Sequence, residues 1–205
     1  MQLFITGTDT NIGKTLISAW ICIHTGYCYF KPIQTGSIEG TDTEFIKQIS
    51  LNTITYKEAY NYKNPLSPHL ASHLEGEIID MYKIQLPSSK NLIVEGAGGI
   101  LTPLNSKNFV VDMIKYFNIP VIVVARSSLG TINHTLLTLE ALRARDINPS
   151  CVIMNGKKNA ENIEAIERYG KTKVHIFPQI KYITYDGLKT IVLPEELANI
   201  LRLST

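Results

Sequence analysis

Ile5-Thr6-Gly7-Thr8-Asp9-Thr10-Asn11-Ile12-Gly13-Lys14-Thr15 continues the apolar run that begins at Leu3 and reads as a strand passing through a phosphate-gripping loop into a helix. In such a loop, backbone N–H groups and the positive end of the following helix hold phosphate oxygens. Lys14 then reaches the outer phosphates, and Thr15 offers a hydroxyl to Mg2+. The usual spacing G-x-x-x-x-G-K-[ST] asks for glycine at Thr8, whereas the glycine here sits one residue earlier, at Gly7. Gly-Lys-Thr alone also opens ordinary helices. The strand before it and the helix after it make phosphate binding the reading to carry forward.

Short apolar runs recur at residues 2–5, 27–30, 92–94, 121–125, 151–154 and 174–177, several of them apolar on both faces. That is the pattern of buried parallel strands, and helical spacing over residues 14–22, 109–117, 132–144 and 160–169 supplies the crossovers. The expected architecture is α/β: a P-loop NTPase-like, mostly parallel central sheet with helices on both faces, forming one domain over residues 1–205. Residues 52–90 are less periodic and are broken by Pro65, Pro68 and Pro87, which predicts an irregular excursion with a short helix. Residues 194–203 predict a short amphipathic helix on the sheet.

A formal charge of +2 over 205 residues, with Lys and Arg scattered, does not build the basic surface of a nucleic-acid or membrane-surface binder. Lys157-Lys158 and Arg143 with Arg145 read as solvated faces. No basic leader precedes the first strand, and no apolar run approaches the roughly twenty residues needed to span a bilayer, so the expected compartment is the cytoplasm. Cys22, Cys28 and Cys151 lack C-x-x-C spacing and read as buried thiols, and the five histidines form no close ligand pair. Any metal is expected to be hard and oxygen-bound.

In open parallel sheets, ligands collect at the carboxyl ends of strands. After the second run stands Lys31-Pro32-Ile33-Gln34-Thr35-Gly36-Ser37. Two readings of Lys31 stand: a second cation that neutralises charge during phosphoryl transfer, or a strand terminus with its head in water. Leu92-Ile93-Val94-Glu95-Gly96-Ala97-Gly98-Gly99 delivers a carboxylate at the end of a buried strand, followed by small residues that let a ligand approach. Glu95 is the expected magnesium partner, with Thr15 and a second carboxylate, Asp42, completing the protein's share of an oxygen shell. Asp42 also reads as the N-cap of a helix in Gly40-Thr41-Asp42-Thr43-Glu44. Arg126-Ser127-Ser128-Leu129-Gly130-Thr131-Ile132-Asn133-His134 opens a helix whose free N–H groups suit a carboxylate, which suggests an anionic small-molecule substrate. Within it His134 reads as a structural histidine and Thr131 as a helix cap. Asn155 can donate to and accept from a nucleotide base, or be an ordinary turn residue.

Together, Gly7-Thr8-Asp9-Thr10 with Gly13-Lys14-Thr15, Lys31-Pro32 through Gly36-Ser37, Ser67-Pro68-His69, Val94-Glu95-Gly96-Ala97-Gly98-Gly99 with Thr102-Pro103-Leu104, and Leu129-Gly130-Thr131-Ile132-Asn133-His134 resemble the dethiobiotin synthetases across most of the chain. The displaced glycine at Gly7 is similar to that family's own loop. The resemblance implies a ligase that converts 7,8-diaminopelargonate, CO2 and ATP to dethiobiotin, ADP and phosphate through a carbamate and a carbamic-phosphoric anhydride. It implies Lys14 and Lys31 as catalytic cations, Thr35 on the substrate, and Thr15, Asp42 and Glu95 on Mg2+. It places Asn11, Ile12, Gly13, Lys14, Thr15 and Leu16, with Glu95, Gly96, Ala97 and Gly98, along the ATP phosphates. Asn155, Pro178, Gln179 and Ile180 fall near the base. It further implies a homodimer in which Gly130, Thr131 and Asn133 help bind the substrate carboxylate across the interface.

The chain departs from that family's usual residues at Asn11, which can be Glu, at Ser128, which can be Lys or Gly, and at Gly156, which can be Asp. Loss of the last carboxylate removes a base-edge acceptor and implies broader nucleotide use. A partition-type ATPase shares the fold, but its loop carries a lysine where this chain has Asp9. A related amidotransferase synthetase needs a glutaminase domain with its nucleophilic cysteine, for which the chain has no motif. A regulator that only binds nucleotide has no need of Lys31 and Thr35.

Overall fold

The computed structural model describes residues 1–201. Its strands are β1 (Gln2–Gly7), β2 (Cys28–Phe30), β3 (Ile33–Gln34), β4 (Thr55–Tyr56), β5 (Tyr60–Asn61), β6 (Leu92–Glu95), β7 (Val121–Arg126), β8 (Cys151–Gly156) and β9 (Val174–Pro178). Seven of them form one parallel sheet in the order β4-β2-β6-β1-β7-β8-β9, and β3 pairs with β5 alone. The helices are α1 (Lys14–Thr25), α2 (Asp42–Ile49), α3 (Pro68–Leu74), α4 (Val110–Phe117), α5 (Thr131–Arg143), α6 (Ala160–Gly170), α7 (Tyr185–Thr190) and α8 (Glu195–Ile200).

Strand residues alternate between two cores because successive Cβ atoms point to opposite faces. Leu3, Ile5, Tyr29, Ile93, Ile122 and Ile153 share one core with Ile17 and Trp20 of α1, Ile46 of α2, Leu188 of α7 and Leu197 of α8. Phe4, Phe30, Val94, Val123 and Met154 share the other with Ala71 of α3, Val110 and Ile114 of α4, Leu139 of α5 and Ile166 of α6. Burial on both faces explains why the strands read as continuous apolar runs. Among the described residues, no helix is long and apolar enough to cross a membrane.

The departures from expectation have local causes. α1 runs beyond residue 22 to Thr25, where Gly26 takes the left-handed conformation at φ 69° and stops it. β3, β4 and β5 have two residues each, too short for alternation to register. The helix expected over residues 194–203 spans Glu195–Ile200, and residues 202 and 203 lie outside the described residues. Arg143 is not a solvated residue: it is half-buried, and its guanidinium donates to the carbonyls of Gly170 and Lys171 at the end of α6.

Asp42 is not the N-cap of α2. That place belongs to Thr41, whose Oγ1 accepts from the Glu44 N–H at 3.0 Å while Glu44 Oε2 accepts from the Thr41 N–H at 2.8 Å. This reciprocal cap leaves the Asp42 carboxylate available elsewhere. Thr41→Ala is expected to lower stability by about 1 kcal/mol, measured as a shift of the urea midpoint with unchanged slope.

Candidate active site

β1 lies between β6 and β7, so the loop after Gly7 opens at the middle of the sheet's carboxyl edge. A cavity of about 750 Å³ faces it, lined in part by Asn11, Gly13, Lys14, Thr15, Thr35 and Gly36. That volume suits a substantial small-molecule ligand. A Cβ on Gly7 would stand 2.3 Å from Ile12 Cδ1 and 3.2 Å from Lys14 Cδ. The loop thus folds its own side chains over residue 7, which accounts for the glycine there rather than at Thr8. Gly13 has φ 93°, and a Cβ on it would meet Asn155 Nδ2 at 2.2 Å. Asn155 donates through that nitrogen to the Ile12 carbonyl at 2.9 Å and so braces the loop from behind.

Four groups converge at the cavity floor. The Lys31 ammonium pairs with Asp42 and, at 3.2 Å, with Glu95 Oε1. The Thr15 hydroxyl lies 2.9 Å from Asp42 Oδ1 and 2.8 Å from Glu95 Oε1, so one proton serves two carboxylates. On its other oxygen, Glu95 accepts from Ser18 at 2.8 Å and from Tyr29 at 3.0 Å. Gln34, also buried, accepts the Asp42 N–H at 3.1 Å. Of the two readings of Lys31, the head in water is excluded, because the residue is 5 % exposed.

The two lysines are tuned in opposite directions. Burial pushes the Lys14 ammonium down and Lys31 pushes it further, to about 8. Its nearest partner is a neutral group, the Asp9 carbonyl at 2.9 Å. Burial would also lower Lys31, but Glu95 and Asp42 overcome it and raise the group to about 12. For Asp42, burial alone would raise the carboxyl, and the Lys31 charge with the Lys31 and Thr15 hydrogen bonds holds it below its ordinary value. Asp9 accepts the Thr10 N–H at 2.7 Å and pairs with Arg126, and both hold its carboxyl low. Two carboxylates and a hydroxyl within hydrogen-bond reach of one another, already sharing one cationic group, form a donor set that suits a hard, oxygen-loving cation.

The sequence-expected residues divide by position. Asn11, Gly13, Lys14, Thr15, Lys31, Thr35, Asp42, Glu95, Ala97 and Gly98 line the cavity. Ile12 is buried under the loop, and Gly96 is buried where an added Cβ would stand 2.9 Å from the Phe4 ring. Leu16 packs against the α1-side core. Pro178 and Gln179 are exposed at the end of β9. Ile180 also packs on the α1-side core. Gly130, not Thr131, caps α5, at φ 90°. Thr131 is buried, with its N–H on the Ser128 carbonyl and its hydroxyl on the Arg126 carbonyl, so both donors are used within the chain. Asn133 is exposed, and so is His134, which is therefore not a buried structural histidine. Ser18, Tyr29 and Gln34 were not legible as site residues. The available signals were a serine four residues after Lys14 on a helix and a tyrosine inside an apolar strand.

Residues 1–184 match a family model described as an AAA domain. An ATP-dependent dethiobiotin synthetase BioD of Lawsonia intracellularis is 53% identical over 198 residues, covering 96% of this chain and 97% of that protein. Proteins of the same name from Neorickettsia sennetsu and Paramagnetospirillum magneticum are 37% and 46% identical, covering 98% and 84% of this chain and 96% and 84% of their own lengths. Among solved structures, the MinD cell division protein of Aquifex aeolicus superposes with a TM-score of 0.52 at 14% identity, covering 100% of this chain and 98% of that one. A ParA family ATPase of Chlorobium tepidum TLS gives 0.50 at 12% identity, covering 98% and 93%. At these identities the two structures establish the P-loop NTPase-like fold alone.

Since Lys14 in the free protein loses its proton near pH 8, an anion bound at the loop raises it again. Binding of tripolyphosphate is expected to take up protons above that pH and to weaken as pH rises. Calorimetry in two buffers of different ionisation enthalpy measures the uptake, which Lys14→Met should abolish; wild type without uptake would contradict this electrostatic account.

Proposed function

The chain belongs to the ATP-dependent dethiobiotin synthetases, and its residues 1–184 to the AAA domain family; from that premise we propose that it is a ligase joining 7,8-diaminopelargonate to CO2, with ATP as co-substrate, to give dethiobiotin, ADP and phosphate. One amine adds to CO2 and loses a proton, giving a carbamate. A carbamate oxygen attacks the γ-phosphorus as the bond to ADP breaks. The second amine then displaces phosphate from the carbonyl carbon, loses its own proton and closes the ring. No covalent enzyme intermediate is needed, so the protein's work is positioning and charge stabilisation.

The observation that carries this reading is the convergence of Thr15, Lys31, Asp42 and Glu95 beside the phosphate loop. Lys14 serves the outer phosphates, and Lys31 the carbamate and the transferring phosphoryl group, where a cation acts most strongly as negative charge develops. Thr35, on the same cavity wall, hydrogen-bonds the diamine substrate. Thr15, Asp42 and Glu95 are the residues that would hold Mg2+, which when bound neutralises phosphate charge. Residues 11–16 and 95–98 follow the phosphates. Asn155 and residues 178–180 attend the base end, with Asn155 also bracing the loop. Gly130 and Asn133, in a segment shaped by Thr131, bind the substrate carboxylate across a homodimer interface. The fully exposed Leu129 beside them, with Leu137 exposed on α5, is consistent with a partner at that surface. The proposed unit is a single domain over residues 1–205 working in the cytoplasm, where ATP is supplied. A regulator that only senses nucleotide is the weaker reading, because it has no use for Lys31 and Thr35 in the same cavity.

The test is ADP release with ATP, Mg2+ and bicarbonate, with and without the diamine, and dethiobiotin identified by mass. Diamine-dependent release is expected, and hydrolysis indifferent to the diamine would overturn the reading. Lys31→Ala should lower kcat by roughly 100-fold or more while ATP affinity changes little; near-normal turnover would remove Lys31 from the chemistry. For Glu95→Gln, the Mg2+ concentration for half-maximal rate should rise, and superimposable titration curves would exclude Glu95 as a ligand.

A further inference from the structure

Glu95 presents its two oxygens to different worlds. Oε1 faces Thr15 and Lys31 at the cavity floor, whereas Oε2 points back between the sheet and α1. There the Ser18 hydroxyl, one helical turn after Lys14, approaches at 2.8 Å, its one proton nearer to Oε2 than to the Lys14 carbonyl at 3.0 Å, and the Tyr29 hydroxyl of β2 approaches at 3.0 Å. Both residues are fully buried. The register explains the meeting: Tyr29 pairs with Ile93, and the alternation that sends Ile93 towards α1 sends Glu95 the same way two residues later. A carboxylate oxygen has two lone-pair directions, and Ser18 and Tyr29 occupy both on Oε2. We propose that Ser18 and Tyr29 are positioning residues that clamp Oε2, so that Glu95 offers a single oriented oxygen, Oε1, to the cation bound with the nucleotide.

Neither hydroxyl touches the cavity, so neither can contact a substrate or metal itself. Their effect runs through the orientation of Glu95. Partners of this kind lower metal affinity by about tenfold or more when removed. The inference rests on Glu95 as a metal ligand, and the experiment separates the two.

ADP affinity is measured by calorimetry in EDTA and in Mg2+ for wild type, Glu95→Gln, Tyr29→Phe and Ser18→Ala, with thermal melting followed in parallel. Tyr29→Phe keeps the ring and its packing, and Ser18→Ala removes the second donor independently. Each is expected to reduce the Mg2+-dependent gain in ADP affinity by about tenfold and to leave affinity in EDTA unchanged. A gain lost in Glu95→Gln but intact in both other variants overturns the positioning role, whatever happens to their melting temperatures. A gain intact in Glu95→Gln removes the ligand assignment itself, and the positioning role with it.

Discussion

Glu95 ends a strand whose other residues are apolar and carries a carboxylate to a depth at which the residue is 1 % exposed. An unpaired ion in such a place costs several kcal/mol even after relaxation. The chain offsets this with four donors drawn from two elements and the segment after one of them: Thr15 and Ser18 from α1, Tyr29 from β2, and Lys31 just beyond it. Each donor fixes the place of what carries it. α1 is held over β6 by two hydroxyls one turn apart, and β2 is aligned with β6 by a phenol and an ammonium as well as by its ladder. The floor of the cavity and the packing of this sheet edge are therefore one arrangement.

Charge within the cavity is divided rather than pooled. Lys31 is the counter-charge of two carboxylates and stays protonated far above neutrality. Among the described residues, Lys14 has only a carbonyl at hydrogen-bond distance, and burial and Lys31 push its ammonium down to about 8. An anion arriving at the loop therefore relieves the strain on Lys14, while the carboxylate floor accepts positive charge. This asymmetry follows from where the chain places each side chain, Lys14 at the start of α1 and Lys31 just past β2 beside the two carboxylates, since both are lysines in the same cavity. It suits a ligand whose phosphates lie over the loop and whose counter-cation lies beside Lys31.

Legibility varied with the range of the interaction. Lys14, Thr15 and the loop glycine at residue 13 sit within a few positions of one another, and their spacing together with the apolar strand before them and the helical pattern after them carried the phosphate-binding reading. Lys31 and Glu95 were legible as strand-end residues because parallel sheets bind ligands at that edge. Asp42 was read two ways, and the decision went to Thr41, whose reciprocal hydrogen bonds with Glu44 take the cap. Thr131 and His134 were misplaced for a related reason: the motif located the segment, but the turn at Gly130 determined which side chains face inward. β3, β4 and β5 went unread because two residues carry no period, and their pairing depends on partners far along the chain.

The sequence by itself determined the α/β class, the phosphate loop and the list of residue types available at the strand ends, because apolar periodicity and short motifs are local properties. Only the tertiary structure decided which of those residues share a charge, that Lys31 bridges Asp42 and Glu95, and that Ser18 and Tyr29 hold the far oxygen of Glu95. The contacts to Glu95 join positions 64, 66, 77 and 80 residues apart. They exist because strand register and the crossing of α1 bring one face of two neighbouring strands under one helix, a geometry that no local spacing encodes.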